Sequence, residues 1–255
     1  MKWIRKRVLS GELLSGTFLN LGSGLTAEIA GQAGFDHVIL DLEHGSGDQE
    51  SLVSQLQALE GTPAAAVVRV ASNEAPRFKR VLDLGPSGVM VPMVNTAEEA
   101  RQAVAASRYP PEGNRGVAGW NRACRFGPGF EEYFKEANRN LLVVVQIETP
   151  EALGNLDSIA EVEGVDVLYV GPTDLSVSLG IPRQFEHPHM QEAYDKVVAS
   201  ARKHGKTAGI LAPRYELLEG FIGRGFTFVS VSSDGAVVAE GLYRLAAGFA
   251  QFRTR

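Results

Sequence analysis

Cysteine is nearly absent from the 255-residue sequence, with Cys124 as its one representative. An internal disulfide is therefore excluded, and such cysteine usage is typical of a protein of the reducing cytoplasm. Cys124 lies in an arginine-flanked loop, NRACRFG, but no partner motif accompanies it. We interpret this cysteine as incidental rather than as a nucleophile. No apolar run approaches the roughly 18 residues that a membrane-spanning helix needs, which argues against a membrane partner.

The sequence also lacks a basic excess, since 25 Lys and Arg residues stand against 30 Asp and Glu residues. Nucleic-acid binding depends on clustered basic side chains, so this balance argues against nucleic acid as a partner. No Walker-type phosphate loop is present. Gly22, Gly24 and Ala27 form part of a dinucleotide fingerprint, but a turn between a strand and a helix explains this spacing better.

What the sequence does contain is a regular alternation of strand-like and helix-like segments. The strand candidates are near-continuous apolar runs, typical of strands covered on both faces, at 15–20, 37–43, 65–70, 88–94, 141–148, 165–171, 207–212 and 226–232. Helical patterns fall between them at 24–33, 48–60, 74–84, 96–107, 149–161, 189–204, 214–223 and 235–250. Eight such units without a linker predict an α/β fold, a (β/α)8 TIM barrel as a single domain over 1–255, with a doubly wound open sheet as the alternative.

Two connections are long, at 108–138 and 172–188, and long connections in a compact domain are usually functional or at interfaces. The active site of a TIM barrel lies at the carboxyl ends of its strands. Polar residues collect at these predicted ends: Asp41, Glu43, His44, Arg69, Gln146, Glu148, Thr173 and Asp174.

Glu148 and Asp174 are separated by about one strand-helix unit, which places them on neighbouring strands. Two converging carboxylates repel each other unless a cation or a shared proton lies between them. A divalent metal with oxygen ligands is one explanation, a general acid/base pair is a second, and a cap on the following helix is a third.

His44 and Arg69 are the other candidates. His44 follows a strand end, where it could act as a base, a ligand or a satisfied polar residue. Arg69 closes a strand of Ala and Val, so its guanidinium needs an anionic partner from the protein or from a substrate. No lysine stands at these strand ends, which argues against a Schiff-base mechanism.

Taken together, the motifs DLEHG, VMVPMVNTAEEA, YPPEGNRGVAG, QIETPEAL and GPTDLSVSLG give the chain a recognisable pattern. With these motifs in this order over nearly its whole length, the chain resembles the HpcH/HpaI family of metal-dependent pyruvate aldolases. The resemblance implies a (β/α)8 barrel that cleaves a 2-keto-4-hydroxy acid reversibly to pyruvate, or a close analogue, and an aldehyde. It also implies a divalent cation, Mg²⁺ or Mn²⁺ with Co²⁺ as an alternative, and a homo-oligomer, typically a hexamer.

The resemblance assigns roles by position: metal ligands at Glu148 and Asp174, the base at His44, a transition-state arginine at Arg69, substrate contacts at Gln146 and Thr173, and an aspartate at Asp83 that raises the basicity of the histidine. The backbone of the segment Gly171, Pro172, Thr173 and Asp174 is a candidate for holding the substrate carboxylate, and the pocket near Leu211 for selecting the aldehyde. Asp83 closes a predicted helix, so barrel geometry puts it at the wrong end of its own subunit. To reach the site it would need either a helix that stops early or a neighbouring subunit.

One departure from the family pattern lies beside the base, where Gly45 stands in place of the usual alanine. We expect Gly45 to loosen this loop and to alter which aldehyde is accepted. Two other functions compete with aldol cleavage. An acyl-CoA lyase would need a basic nucleotide groove, for which the long connection offers Arg108, Arg115, Arg122 and Arg125. A keto-acid sensor without catalysis is the other alternative.

Overall fold

The computed structural model describes residues 2–250 and 252–253. Its centre is a closed barrel of eight parallel strands in sequence order, which confirms the predicted fold. The strands are β1 (Leu14–Leu19), β2 (His37–Asp41), β3 (Ala65–Arg69), β4 (Gly88–Val91), β5 (Leu142–Ile147), β6 (Val167–Val170), β7 (Thr207–Ala212) and β8 (Phe228–Ser233). The first and last strands pair with each other, so the sheet has no free edge.

Helices surround the barrel: α1 (Arg5–Leu9), α2 (Gly24–Gln32), α3 (Gln49–Leu59), α4 (Ala75–Leu82), α5 (Ala97–Ser107), α6 (Phe130–Asn140), α7 (Pro150–Gly154), α8 (Leu156–Ala160), α9 (Pro172–Ser178), α10 (Pro188–Lys203), α11 (Leu218–Arg224) and α12 (Asp234–Ala250), with a 3₁₀ turn at Tyr215–Leu217. Residues 149–161, predicted as one helix, form two helices that meet at Asn155. Both long connections contain helices that the sequence pattern missed, α6 and α9.

The apolar runs form strands because both faces of each strand are covered. One set of side chains fills the barrel interior, including Ile39, Val67 and Val144. The alternating set packs against the surrounding helices, including Leu40 and Val68. Since successive side chains of a strand point to opposite faces, a strand buried on both faces needs apolar residues throughout.

The amino-terminal end of the barrel is closed by α1, which the sequence pattern did not predict. Ile4 and Val8 belong to the same buried cluster as the interior side chains. The Thr207 hydroxyl on β7 donates to the carbonyl of Val8 at 2.9 Å, which attaches α1 to the barrel wall. The barrel interior is therefore covered at this end by α1, and the polar residues lie at the other end, where the strands terminate.

The last helix is different from the rest, because no residue of α12 is buried. Its exposed side chains include large apolar ones, among them Leu242, Tyr243, Leu245 and Phe249. Within the described part of the chain, no helix is long and apolar enough to cross a membrane.

Candidate active site

The carboxyl ends of β2 and β3 bring the first two polar residues together. Asp41 and Arg69 are the last residues of their strands and are register partners. The Arg69 guanidinium donates to both carboxylate oxygens of Asp41, at 2.8 and 2.7 Å, and its third nitrogen lies 3.0 Å from Glu43 Oε2. The protein thus supplies the anionic partners that a buried arginine requires.

These contacts set the charge states of the cluster. Burial acts to raise the pKa of Asp41, but hydrogen bonds and the charge of Arg69 outweigh it and hold this pKa below its usual range. Burial raises the pKa of Glu43, with the charge of Arg69 acting in the opposite direction. The pKa of Arg69 is raised because its bonds to Asp41 outweigh its burial, so the guanidinium is permanently charged.

His44 lies on the loop directly after this cluster. Its backbone N–H donates to Asp41 Oδ1 at 3.3 Å, while its side chain is 65% exposed. The Nε2 atom is 3.8 Å from Glu43 Oε2, which is too long for a hydrogen bond. The predicted base is therefore at the mouth and reachable from solvent.

Glu148 follows β5 and is 2% exposed. Its Oε1 atom accepts a hydrogen bond from the side-chain amide of Gln146 at 2.6 Å, and its Oε2 atom accepts from the backbone N–H of Met93 at 3.1 Å. Burial raises the pKa of Glu148 to about 8; the charges of Asp174 and Glu43 act in the same direction, and the Met93 N–H and the charge of Arg69 act against it. A third acid near a buried carboxylate is a strongly unfavourable arrangement without a cation.

Asp174 and Thr173 lie in the first turn of α9, directly after β6. Neither side chain caps this helix; the N-cap position belongs to Gly171, which has no side chain to offer, so the capping explanation fails. Asp174 is exposed at the mouth, near enough to raise the pKa of Glu148. Pro172, at the first helical position, is buried.

The donor set of Glu148 and Asp174 fits a hard divalent cation. Both offer carboxylate oxygens, and a cation between them would relieve their mutual repulsion. Among residues 2–250 and 252–253, no group of three or more His, Cys, Asp or Glu side chains is arranged to hold a metal. A cation here would thus take two protein carboxylates and leave its other positions to water and substrate, a mode usual for Mg²⁺.

Asp83 is not brought to this site within the chain. It caps the carboxyl end of α4, and its carboxylate lies 3.1 Å from the fully buried guanidinium of Arg115. Its carbonyl accepts a hydrogen bond from the N–H of Ala123. Asp83 therefore lies at the other end of its own barrel from His44, as expected from the position of α4.

Leu211, predicted to line the aldehyde pocket, lies on β7 and packs against the interior cluster while remaining half-buried. Two residues that contact the site were not predicted from the sequence. Phe18 on β1 places its ring beneath Arg69, with the guanidinium carbon 5.0 Å from the ring centroid. Met93 holds its N–H toward Glu148 with a left-handed backbone (φ 54°), for which the sequence gives no signal.

Gly45 is not the loose point that the sequence suggested. A Cβ atom at this position would lie 2.1 Å from the carbonyl oxygen of Asp41, and the next residue, Ser46, donates to the carbonyl of Asn20. The glycine is needed because the loop passes tightly over the end of β2.

Most arginines of the connection at 108–138 form ion pairs or hydrogen bonds within the chain, or are buried. Arg115 pairs with Asp83, and Arg122 donates to the carbonyl of Leu84 and to Glu60. Arg108 is 4% exposed. Arg125 alone among these four has a largely exposed side chain (70%), and it lies 3.9 Å from Glu132. One exposed arginine does not form a basic groove for a nucleotide, which removes the main argument for an acyl-CoA substrate.

Comparison with known proteins gives a consistent set of similarities. The family described as HpcH/HpaI aldolase/citrate lyase matches residues 14–241. A 5-keto-4-deoxy-D-glucarate aldolase from Klebsiella pneumoniae is 44% identical over 234 residues, covering 92% of this chain and 91% of that protein. A crystal structure of a family protein from Burkholderia cenocepacia superposes with a TM-score of 0.91 at 33% identity, covering 97% of this chain and 99% of the other. An HpcH/HpaI aldolase from Desulfitobacterium hafniense gives a TM-score of 0.91 at 31% identity, with 98% and 97% coverage.

Proposed function

The chain belongs to the HpcH/HpaI aldolase/citrate lyase family, and we propose that it is a divalent-metal-dependent aldolase acting on a 2-keto-4-hydroxy acid. The protein is a carbon–carbon lyase that yields pyruvate and an aldehyde. The observation that carries the assignment to this site is the convergence of Glu148, Asp174, Arg69 and His44 at one barrel mouth. Aldol cleavage through an enolate needs a base for the hydroxyl proton and positive charge for the enolate oxygen. His44 can supply the base, and the Arg69 guanidinium together with a metal held by Glu148 and Asp174 can supply the positive charge.

We further propose a sugar acid as the substrate, as in sugar-acid catabolism, because similar proteins are named 5-keto-4-deoxy-D-glucarate aldolase. In such a dicarboxylic acid, a methylene group separates the keto carbon from a hydroxyl-bearing carbon. Cleavage between the methylene and hydroxyl-bearing carbons gives pyruvate and a carboxylated aldehyde.

Glu148 and Asp174 would hold the cation, Mg²⁺ or Mn²⁺ with Co²⁺ as the alternative. When bound, it supplies Lewis-acid polarisation of the keto group. Glu148 is oriented for this role by two hydrogen bonds, from Gln146 and from the Met93 N–H, which fix both of its oxygens. Such outer contacts usually contribute to metal affinity as much as to geometry.

The proton and charge movements fall to the other residues. His44 accepts the proton of the C4 hydroxyl as the C3–C4 bond breaks, releasing the aldehyde and leaving pyruvate as its enolate. Arg69 stabilises the negative charge that develops on the keto oxygen. Protonated His44 then returns a proton to C3 of the enolate, which gives pyruvate and restores the neutral base.

The substrate carboxylate is assigned to the start of α9. Pro172 has no N–H, so the first unused backbone donors of this helix are those of Thr173 and Asp174. Thr173 is exposed at the mouth, where its N–H can reach a bound acid.

We propose that the protein works as a homo-oligomer, a hexamer as the family resemblance implies. Its 17-residue helix α12 buries none of its own residues, and Leu242, Leu245 and Phe249 are 60–70% exposed. Contact of this apolar surface with water is unfavourable, and packing against a second subunit would remove it from water. Assembly would also let Asp83 approach the exposed His44 of a neighbouring subunit.

The test is to measure pyruvate release and Mn²⁺ binding separately. Glu148→Gln should abolish detectable Mn²⁺ binding by electron paramagnetic resonance and lower turnover at least about 100-fold. His44→Ala should lower turnover while leaving the Mn²⁺ affinity within about twofold. Pyruvate release that survives both complete chelation and Glu148→Gln would overturn the proposal.

A further inference from the structure

The connection between α5 and β5 contains a buried charge that the proposed mechanism does not use. The side chain of Arg115 has no exposed surface. Its guanidinium lies between two rings, with the central carbon 4.4 Å from the centroid of Tyr109 and 5.4 Å from that of Tyr133. Removing a charge from water is unfavourable, so this arginine needs an anionic partner inside the protein.

Two routes attach this guanidinium to the end of α4. Its Nη2 atom donates to Asp83 Oδ1 at 3.1 Å, and its Nη1 atom donates to the hydroxyl of Tyr133 at 3.1 Å. That hydroxyl in turn donates to the carbonyl of Leu82 at 3.3 Å. Because Leu82 and Asp83 are consecutive residues at the end of α4, Arg115 and Tyr133 together hold this turn in one position.

The bond to Arg115 engages only one of the two carboxylate oxygens of Asp83. Within residues 2–250 and 252–253, Oδ2 accepts no hydrogen bond, and the side chain is 19% exposed. The backbone of Asp83 is fixed as well, because its carbonyl accepts from the N–H of Ala123 at 3.0 Å. The carboxylate is therefore anchored through Oδ1, and Oδ2 is left for a group from outside the chain.

The surface around Asp83 has the character of an interface. Asp83 lines a groove of about 430 Å³ together with Phe126, which is 66% exposed. Phe126 has a left-handed backbone (φ 55°), an unfavourable conformation for a bulky residue. Trp120, 82% exposed, lies close by, since a Cβ atom at Gly127 would be 2.6 Å from its ring. Exposed aromatic side chains beside a groove are typical of a surface that binds another protein chain.

His44 offers the complementary group. Its side chain is 65% exposed and makes no hydrogen bond within the described chain, with Glu43 Oε2 too far away at 3.8 Å. A histidine that takes up a proton is oriented and stabilised when its other ring nitrogen donates to a carboxylate. Asp83 of a neighbouring subunit can supply that carboxylate only if one of its oxygens faces outward.

We propose that Arg115 is a positioning residue for the reaction: it holds Asp83 through Oδ1, so that Oδ2 faces the His44 of a neighbouring subunit. This inference rests on the proposed function, from which it takes the base and the oligomer. A buried ion pair is rarely the most stable filling of its space, and its better-attested use is to fix one arrangement. Lysine cannot reproduce this arrangement, because an ammonium group cannot lie flat between two rings and bond both Asp83 and Tyr133.

The experiment compares Arg115→Lys with Asp83→Asn, each alone and each mixed with His44→Ala. Arg5→Lys is the control, since Arg5 also bonds a buried carboxylate, that of Asp166, which has no part in the proposed reaction. Every variant is measured for kcat, KM and Mn²⁺ affinity. For mixing, two variants with different affinity tags are refolded together, and oligomers that carry both tags are isolated.

Arg115→Lys should lower kcat about tenfold, with KM and Mn²⁺ affinity within about twofold. The same change should have no further effect in the Asp83→Asn background, because both act on one interaction. Mixed with His44→Ala, Arg115→Lys should restore about a quarter of the sites, since its own His44 is intact. Mixed with Asp83→Asn, it should restore none. Arg5→Lys should keep kcat within about twofold.

Unchanged kcat in Arg115→Lys or in Asp83→Asn would overturn the inference, as would equal losses from Arg115→Lys with and without Asp83→Asn. Failure to recover with His44→Ala, in oligomers shown to contain both variants, would reveal damage within the subunit itself and would overturn it too. If Arg115→Lys does not assemble, Tyr133→Phe decides. It keeps the ring and Arg115, and it should lower kcat about threefold except in the Asp83→Asn background.

The failure of the proposed function gives a different result. An unmodified protein that releases no pyruvate would refute the proposed function, and the inference with it. Normal pyruvate release by the unmodified protein, combined with any of the contrary results for Arg115→Lys, would overturn the inference alone.

Discussion

Gly171 faces Glu148 so closely that a Cβ atom at position 171 would lie 2.2 Å from the Oε1 atom of the carboxylate. The carboxylate therefore occupies the space that a side chain on the neighbouring strand end would take. The backbone of Gly171 (φ −95°, ψ 92°) is open to any residue, so the requirement for glycine comes from this contact alone.

Gly171→Ala should displace the Glu148 carboxylate and weaken Mn²⁺ binding by about 10–100-fold, the usual effect of disturbing a ligand's support. Isothermal titration with Mn²⁺ measures this directly. Gly154→Ala is the control, since a Cβ atom there would meet nothing within 4 Å. Unchanged Mn²⁺ affinity in Gly171→Ala would contradict the idea that this close contact fixes Glu148 for metal binding.

Arg69→Lys should lower kcat about 100-fold and destabilise the protein by roughly 2–4 kcal/mol. Lysine keeps the charge but cannot make the paired bonds to Asp41 together with the contact to Glu43. Steady-state kinetics measures the change in kcat, and urea unfolding measures the change in the free energy of unfolding. Arg101→Lys, in an exposed pair with Glu98, is the control and should change stability by less than about 0.5 kcal/mol.

His37 should make the protein less stable in acid. Burial lowers the pKa of His37 to about 3, against 6.5 for the free side chain. Because the folded state resists protonation, the unfolded state takes up the proton first, and this contribution to stability is lost as the pH falls below 6.5. Between pH 7 and pH 5 the loss should be roughly 2 kcal/mol.

The measurement is urea unfolding at both pH values for the unmodified protein and for His37→Gln, because the difference between them isolates the histidine from the carboxylates. Glutamine cannot be protonated in this range, so its variant should lose about 2 kcal/mol less. Equal pH dependence of the two proteins would contradict the assignment of a neutral, buried His37.

Mixing two inactive variants tests whether Asp83 serves a neighbouring subunit. Asp83→Asn and His44→Ala should each lower turnover when alone. When the two are refolded together, about a quarter of the sites in random hetero-oligomers should hold both native residues, and activity should return to that extent. No recovery in oligomers shown to contain both variants would contradict a contribution of Asp83 to a neighbouring subunit's site.

The sequence predicted the barrel well because covered parallel strands leave a distinctive pattern. The runs around Val67 and Val144 are apolar at every position, and helical patterns separate them. The strand limits were less accurate: β2 ends at Asp41, so Leu42 and Glu43, predicted as its last residues, lie on the loop that also carries His44. Helices α1, α6 and α9 escaped because they are short or lie in segments rich in Gly, Pro and charged residues.

The part of the site that consists of charged side chains could be predicted from the sequence. Arg69, Glu148 and Asp174 stand out as charges at the ends of apolar runs, and the structure places them at one mouth. Contacts made by the backbone or by apolar rings left no such signal, as with the Met93 N–H and the Phe18 ring. The position of the Phe18 ring beneath Arg69 depends on a tertiary contact between β1 and β3, which no local pattern encodes.

The tight passage of Gly45 over the carbonyl of Asp41 has a practical consequence for redesigning aldehyde preference. Mutant libraries at position 45 would mostly sample distorted loops, since even a methyl group cannot be seated without shifting the chain that carries Asp41 and His44. Leu211, half-buried on β7, offers a site where bulk can be altered while that chain stays in place.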